Sequence, residues 1–132
     1  MPDSKLRHPL RWLLAPLAVS AAGCGNYGSP VAYCTSVAPI AIEVDVTDSI
    51  TGLARADSAT GFIQTGVRVD SLIRESNSAT LLFGGTTLGT YDVTIARPGY
   101  ATWTRAAVAV TQVGQCGNVL PVRLTALLQT GP

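Results

Sequence analysis

The side chains that could do chemistry in this sequence are three cysteines, a histidine, a lysine and two acids beside a turn. His8 and Lys5 both lie near the amino terminus, and no second histidine or lysine follows them. Without these two residues, a Ser-His-Asp or Cys-His nucleophile, a histidine-ligated zinc site and a lysine Schiff base cannot be built. We therefore predict no catalytic residue, no metal site and no cofactor in the main part of the chain.

The acids Asp45 and Asp48 flank a turn. A glycosidase uses two carboxylates several ångströms apart, and calcium also prefers oxygen ligands, but the EF-hand spacing is missing here. An aspartate followed by Ser-Ile-Thr-Gly is typical of a turn that the carboxylate caps, so we favour turn capping over catalysis. The glycine-rich residues 84–89 lack the lysine and the helix of a phosphate-binding loop, and we interpret them as a bend.

The first 23 residues have the features of a secretory signal peptide. Lys5, Arg7 and Arg11 precede an apolar run at 12–22, which small residues follow. This run of about eleven residues contains Pro16 and is shorter than the ~20 residues that span a bilayer. We predict that residues 1–23 are removed on secretion.

The small residues end at a cysteine, in the order Ala21-Ala22-Gly23-Cys24. This segment resembles the lipobox of bacterial lipoproteins, in which the cysteine becomes the first mature residue and carries acyl chains. The resemblance implies lipidation of Cys24, with palmitate among its chains, and Gly25 in place of aspartate implies the outer membrane. The alternative is ordinary cleavage near Ala22, which leaves Cys24 as a free thiol.

Lipidation of Cys24 leaves Cys34 and Cys116 as an even pair in an oxidising compartment. We predict a disulfide between them, and two separate thiols are the alternative. Residues 24–33 are predicted to be a flexible tether, residues 34–128 the domain and residues 129–132 a tail. The net charge of +1 gives no electrostatic attraction for nucleic acid.

Residues 89–100 predict a strand that runs into a tight turn. Tyr91, Val93 and Ile95 alternate with polar residues, a period typical of one buried and one wetter face. Arg97-Pro98-Gly99 then predicts a type II turn. The pattern G-x-Y-x-V-x-I-x-x-P-G-Y resembles the carboxypeptidase regulatory-like domain, a transthyretin-like β-sandwich.

Other alternating segments predict further strands. The first runs from Ile40 to Thr47 before a turn at 48–52, and residues 53–57 predict a weak edge strand with a loop at 58–61. Val67, Val69 and Ile73 predict the inward side of the next strand, and residues 79–83 the strand after it. The apolar parity changes between Trp103 and Val108, which predicts a β-bulge near residues 105–106. Alternating residues 120–128 predict the last strand.

The short alternating segments predict an all-β fold of about seven strands, a sandwich or a barrel. The resemblance implies a seven-stranded Greek-key β-sandwich of transthyretin-like form behind the signal peptide. The resemblance covers residues 38–128 and is to a non-catalytic domain. We expect a lipid-anchored module of the cell envelope with a structural or protein-interaction role. The alternative is a carbohydrate-binding module that uses Tyr100 and Trp103 as an exposed aromatic platform. The expected partners are the membrane, through the lipid, and another envelope protein or a glycan.

Overall fold

A computed structural model of the protein describes residues 39–131. This part of the chain is all-β, with nine strands and one short 3-10 helix at Ala56–Ser58. The strands are β1 (Ile42–Asp48), β2 (Thr60–Thr65), β3 (Arg68–Arg74), β4 (Leu81–Gly84), β5 (Gly89–Ala96), β6 (Trp103–Val110), β7 (Gln112–Val113), β8 (Asn118–Val119) and β9 (Val122–Leu128).

Seven of these strands form one sheet in the order β6-β5-β2-β3-β4-β1-β9, and β7 and β8 form a separate hairpin. All neighbours in the large sheet are antiparallel except β1 and β9, which run parallel. The sheet is nearly barrel-shaped. Its two outer strands meet where Ala101 donates to the Gln129 carbonyl at 2.8 Å and Tyr100 bridges to Thr130.

The core lies on the concave side of this sheet and follows from strict alternation along the strands. In β1, Ile42, Val44 and Val46 are fully buried, whereas the residues between them are half-buried. The core also contains aliphatic side chains from the other large strands and one aromatic ring, at Tyr91. Sequence alternation therefore identified the inward face of β1 correctly.

The predicted strand and turn at residues 89–100 are confirmed. Tyr91, Val93 and Ile95 are each about 1% exposed or less. The following turn is closed by a hydrogen bond from the Tyr100 amide to the Arg97 carbonyl at 3.1 Å. Gly99 has φ of 80°, which a type II turn requires at its third position.

The predicted bulge is confirmed as well. On β5, Tyr91 pairs with Val108 but Val93 pairs with Arg105, so β6 carries one extra residue opposite Asp92. Ala107 adopts a φ of 56°, and its amide donates to the Asp92 carboxylate at 2.9 Å. The extra residue shifts the alternation of inward and outward side chains along β6 by one position, and this places both Trp103 and Val108 against the core.

Two predictions for residues 53–61 are wrong. Residues 53–57 form no edge strand, because only Ala54 bridges to Thr47 before the 3-10 helix begins. Residues 58–61 are not simply a loop, since β2 starts at Thr60.

The inward side of β3 was also predicted wrongly. Val67, Val69 and Ile73 are exposed, and Leu72 is the residue of this strand that enters the core. The reason is packing, because the methyl groups of Leu72 fill the space above Gly61 and Gly84, neither of which has a side chain.

Several predictions fall on residues that are not described. The signal peptide, Cys24, the tether and Cys34 all lie outside residues 39–131, so the Cys34–Cys116 disulfide stays a prediction. Within the described residues, none of the helices has the length and apolar character to cross a membrane. At the other end, the predicted tail continues the structure, because the Gly131 amide donates to the Gly99 carbonyl at 3.0 Å.

Strand directions place the connecting segments at two opposite ends of the sheet. At one end lie residues 39–41, 66–67, 85–88 and 111–121, and none of these residues is charged. We call this the uncharged end. The opposite end, which we call the charged end, contains residues 49–59, 75–80, 97–102 and 129–131, together with Asp48 and Arg74 at the ends of their strands.

Candidate functional site at the charged end

The charged end is organised around the carboxylate of Asp48, the last residue of β1. Its Oδ1 accepts hydrogen bonds from the amides of Ile50 at 2.9 Å and Thr51 at 2.8 Å. Gly52 then adopts a φ of 68° and its amide returns to the Asp48 carbonyl. Asp48 is 5% exposed, so these bonds satisfy a carboxylate that folding removes from water.

Tyr100 connects this turn to a cation. Its hydroxyl donates to Asp48 Oδ2 at 2.8 Å and accepts from Arg55 Nε at 2.7 Å. Arg55 also donates through Nη1 to the Ala54 carbonyl at 2.9 Å. A continuous chain of hydrogen bonds therefore runs from the guanidinium through the phenol to the carboxylate.

A second arginine lies on the ring of Tyr100. The Arg97 guanidinium carbon is 5.3 Å from the ring centroid, and that of Arg55 is 6.0 Å from it. Arg97 also pairs with Asp57 at 3.1 Å. Its Nε is buried and makes no hydrogen bond within residues 39–131. The phenol ring is thus contacted by two cations whose charges are balanced by two aspartates.

Hydrogen bonding sets the protonation of this cluster. The Thr51 amide, the Tyr100 hydroxyl and the Ile50 amide hold the pKa of Asp48 well below its usual range, and burial opposes them only in part. The hydrogen bond to Tyr100 raises the pKa of Arg55. Asp48 and Arg55 are therefore both ionised at neutral pH.

This arrangement is suited to holding loops together. The two acids and two arginines sum to zero charge, and the Asp48 carboxylate is already bonded on both oxygens. No set of three His, Cys, Asp or Glu residues that could hold a metal occurs within the described part of the chain. The network joins β1, the segment 49–59 and the β5–β6 turn, so its chemical consequence is a rigid end surface.

A shallow groove of about 200 Å³ lies beside this network, between the start of β6 and the end of β9. Trp103 and Leu127 supply its apolar lining, and the polar lining comes from Thr102, Thr104 and Gln129. No ladder pairs β6 with β9, and the backbone bond and bridge that join this part of the sheet lie just before β6 and just after β9.

The structure brings the predicted aromatic pair to the same end but in a different setting from the one expected. Tyr100 and Trp103 are half-buried and pack against the core cluster. The hydroxyl and the ring of Tyr100 are both engaged by arginines, whereas Trp103 borders the groove. The prediction of two exposed rings is therefore wrong for Tyr100, and Trp103 is only partly accessible.

The sequence analysis missed the partners of Tyr100. Arg55 donates to a phenol 45 positions later in the chain. Asp48 was predicted correctly as a turn cap. Its bond to Tyr100 joins residues 52 positions apart, and no local pattern signals such a pair.

In comparisons with known proteins, no protein-family model and no curated protein matches this chain.

Proposed function

We propose that this protein is a lipid-anchored, non-enzymatic module of the bacterial cell envelope, held in the outer membrane through Cys24. Its role is structural or protein-binding, with the charged end turned toward a partner protein. The proposal combines the signal and lipobox features of residues 1–24 with the rigid surface at the charged end.

The main support for a protein-binding role is that two apolar side chains are exposed on a turn held by hydrogen bonds. Ile50 is 82% exposed and Leu53 is 56% exposed. Asp48 holds this turn by two backbone hydrogen bonds, so the side chains are presented with little loss of conformational freedom on binding. Pre-organised apolar residues beside charged ones are typical of protein-binding surfaces.

The experiment is affinity capture from detergent-solubilised envelopes with the full chain and with Ile50→Glu. We expect one protein to be enriched by the native chain and lost with the variant. The control is Val69→Glu, which changes an exposed residue on the outer face of β3. Equal capture by all three chains would contradict an interaction through the charged end.

The anchor is tested separately by fractionation. We expect the native chain in the membrane pellet and the Cys24→Ser chain outside it, because two or more acyl chains make attachment stable. A Cys24→Ser chain that stays in the pellet would contradict the lipid anchor without bearing on the charged end.

We further propose that the fold is a Greek-key sandwich related to the carboxypeptidase regulatory-like domain. The support is the position of β1 beside β4, with β2, β3 and β4 consecutive, and the strand and turn at residues 89–100. The short pairing of β3 with β4, through two residue pairs, is where the sheet would divide into two facing layers. Amide hydrogen exchange tests this: we expect fast exchange along the facing edges of β3 and β4, and protection along the whole of both strands, as in a closed single sheet, would contradict the sandwich.

The groove beside Trp103 supports a second candidate, a carbohydrate-binding module. An indole next to hydroxyl and amide groups is a surface on which a sugar ring can stack and bond. Glycan-array binding that is lost in Trp103→Phe and in Gln129→Ala would support this candidate. Binding to no glycan, by a chain that is folded, would remove it.

A further inference from the structure

The uncharged end combines two properties that are rarely found together on a solvated surface. Residues 39–41, 66–67, 85–88 and 111–121 contain no Asp, Glu, Lys or Arg. The same segments expose large apolar side chains, with Val67 fully exposed and the other three between 45 and 49% exposed: Leu88, Val113 and Leu120.

Hydrogen bonds join some of these segments to one another and to neighbouring strands. The Ala41 amide donates to the carbonyls of Gly84 and Gly85, and the Val122 amide donates to the Ala41 carbonyl. The Tyr91 hydroxyl donates to the Thr87 carbonyl at 2.8 Å, which fixes the loop that carries Leu88. The apolar side chains are therefore presented by bonded loops at a common end of the sheet.

The chain outside the structure reaches the domain at this same end. Residue 39 lies three positions before β1, whose first residues lie beside Gly84 and Val122. From Cys24 to Pro39 the chain can extend over at most roughly 50 Å. The chain that leads from an anchor at Cys24 therefore enters the domain at the uncharged end and not at the end that carries Asp48.

We propose that the uncharged end rests on the surface of the bilayer that holds the lipid anchor, with Val67 and Leu88 entering the interfacial region. This inference rests on the proposed function, because it uses the anchor at Cys24. Apolar side chains gain by entering the headgroup boundary, and uncharged polar loops enter it without the cost of desolvating a charge.

The charge distribution identifies the kind of lipid. The first charged residue beyond these loops is Arg68, which pairs with Asp70 at 2.8 Å, and Arg123 likewise pairs with Glu43. No cationic surplus faces this end among the described residues. The contact is therefore with zwitterionic lipid and is insensitive to salt, unlike binding through a basic patch.

The test places a tryptophan at each end in turn. Mature, lipidated Val67→Trp and Ile50→Trp chains, which begin at Cys24 and therefore lack Trp12, are reconstituted into phosphatidylcholine vesicles with and without bromine on the acyl chains. The Val67 side chain is fully exposed, so the substitution does not disturb the core, and the same change at Leu88 is the second variant. Native Trp103, at the opposite end, supplies the background emission in every sample.

We expect bromine to quench the tryptophan at position 67 or 88, with a blue shift that persists in high salt, and to leave the tryptophan at position 50 unquenched. Vesicle-bound chains in which neither end is quenched would overturn the membrane contact and leave the anchor standing. Chains that do not float with vesicles would overturn both. A blue shift without quenching, in a chain that elutes as a dimer, would assign this end to a second copy instead.

Discussion

The two ends of the sheet are each tied together by a tyrosine hydroxyl, but the chemistry differs. At the uncharged end, Tyr91 is 1% exposed and bonds to the carbonyl and hydroxyl of Thr87. At the charged end, Tyr100 is half-buried and bonds to an ionised carboxylate and a guanidinium. The first end is thus stabilised by neutral bonds and the second by ionised groups. The same fold therefore has one end without charged residues and one end built around ion pairs.

The largest expected effect concerns the β6–β9 connection at the uncharged end. Reduction of the predicted Cys34–Cys116 disulfide should lower the free energy of unfolding by about 4 kcal/mol, because the bond closes a long loop in the unfolded chain. Non-reducing mass spectrometry and thermal unfolding with and without reductant measure this, with Cys24→Ser as the control. Two alkylatable thiols at Cys34 and Cys116 would contradict it.

The next effect distinguishes the ends by pH. Asp48→Asn should destabilise the native protein at neutral pH more than any other single change at the charged end, since Asp48 serves three hydrogen-bond donors. The pKa of Asp48 is lowered by folding, so its contribution is complete above its unfolded pKa of about 3.9 and is lost as the pH falls below that value. Urea unfolding of both chains from pH 7 to pH 2.5 should therefore show their difference shrinking only below about pH 4.

Tyr100→Phe removes a hydroxyl that bonds to charged groups. We expect a loss of about 1.5–3 kcal/mol in the free energy of unfolding, which is the usual value for hydrogen bonds to ionised partners. The pH profile of this variant should flatten, because its Asp48 lacks one of the bonds that lower its pKa. An unchanged free energy of unfolding at neutral pH would mean that the hydrogen bonds of the Tyr100 hydroxyl to Arg55 and Asp48 do not stabilise the protein.

Tyr91→Phe is the matched change at the uncharged end. A neutral hydrogen bond contributes about 0.5–1.5 kcal/mol, so this variant should lose less stability than Tyr100→Phe. Its loss should not change between pH 7 and pH 4, since no ionised group bonds to this hydroxyl. A loss of stability in Tyr91→Phe that exceeds the loss in Tyr100→Phe, or that depends on pH, would contradict neutral bonding at one end and ionic bonding at the other.

The smallest effect is a gain at the bulge between the ends. Ala107 has a φ of 56°. This backbone conformation is strained for a residue with a Cβ atom, whereas glycine adopts it without strain. Ala107→Gly should raise the free energy of unfolding by about 0.5–1 kcal/mol, as measured in urea. Ala109→Gly on the same strand is the control and should lose stability.

Local patterns predicted those elements in which alternation, turn residues and burial agree. The strand with Tyr91 and its Pro-Gly turn were predicted correctly, and the parity change between Trp103 and Val108 indicated the bulge. The prediction failed in β3, because the more numerous apolar residues lie on its outer face. Which side of β3 meets the core is decided by Gly61 and Gly84 on the neighbouring strands, and a single strand's sequence does not contain that information.

The candidate site was less predictable than the fold. The turn at Asp48 follows from neighbouring residues, but its bond to Tyr100 and the contact of Tyr100 with Arg97 and Arg55 depend on how the strands are ordered in the sheet. The groove beside Trp103 lies where β6 and β9 come together without forming a ladder, which is also a property of sheet closure. The distribution of charge between the ends could be read from the sequence only after the strand directions were known.

The most direct test of the central claim is amide hydrogen exchange of the lipidated chain in phosphatidylcholine nanodiscs, compared with the Cys24→Ser chain in buffer. We predict slower exchange in nanodiscs for residues 66–67, 85–88 and 111–121, and no change for residues 49–59. Equal protection at both ends, or protection confined to residues 49–59, would contradict the account.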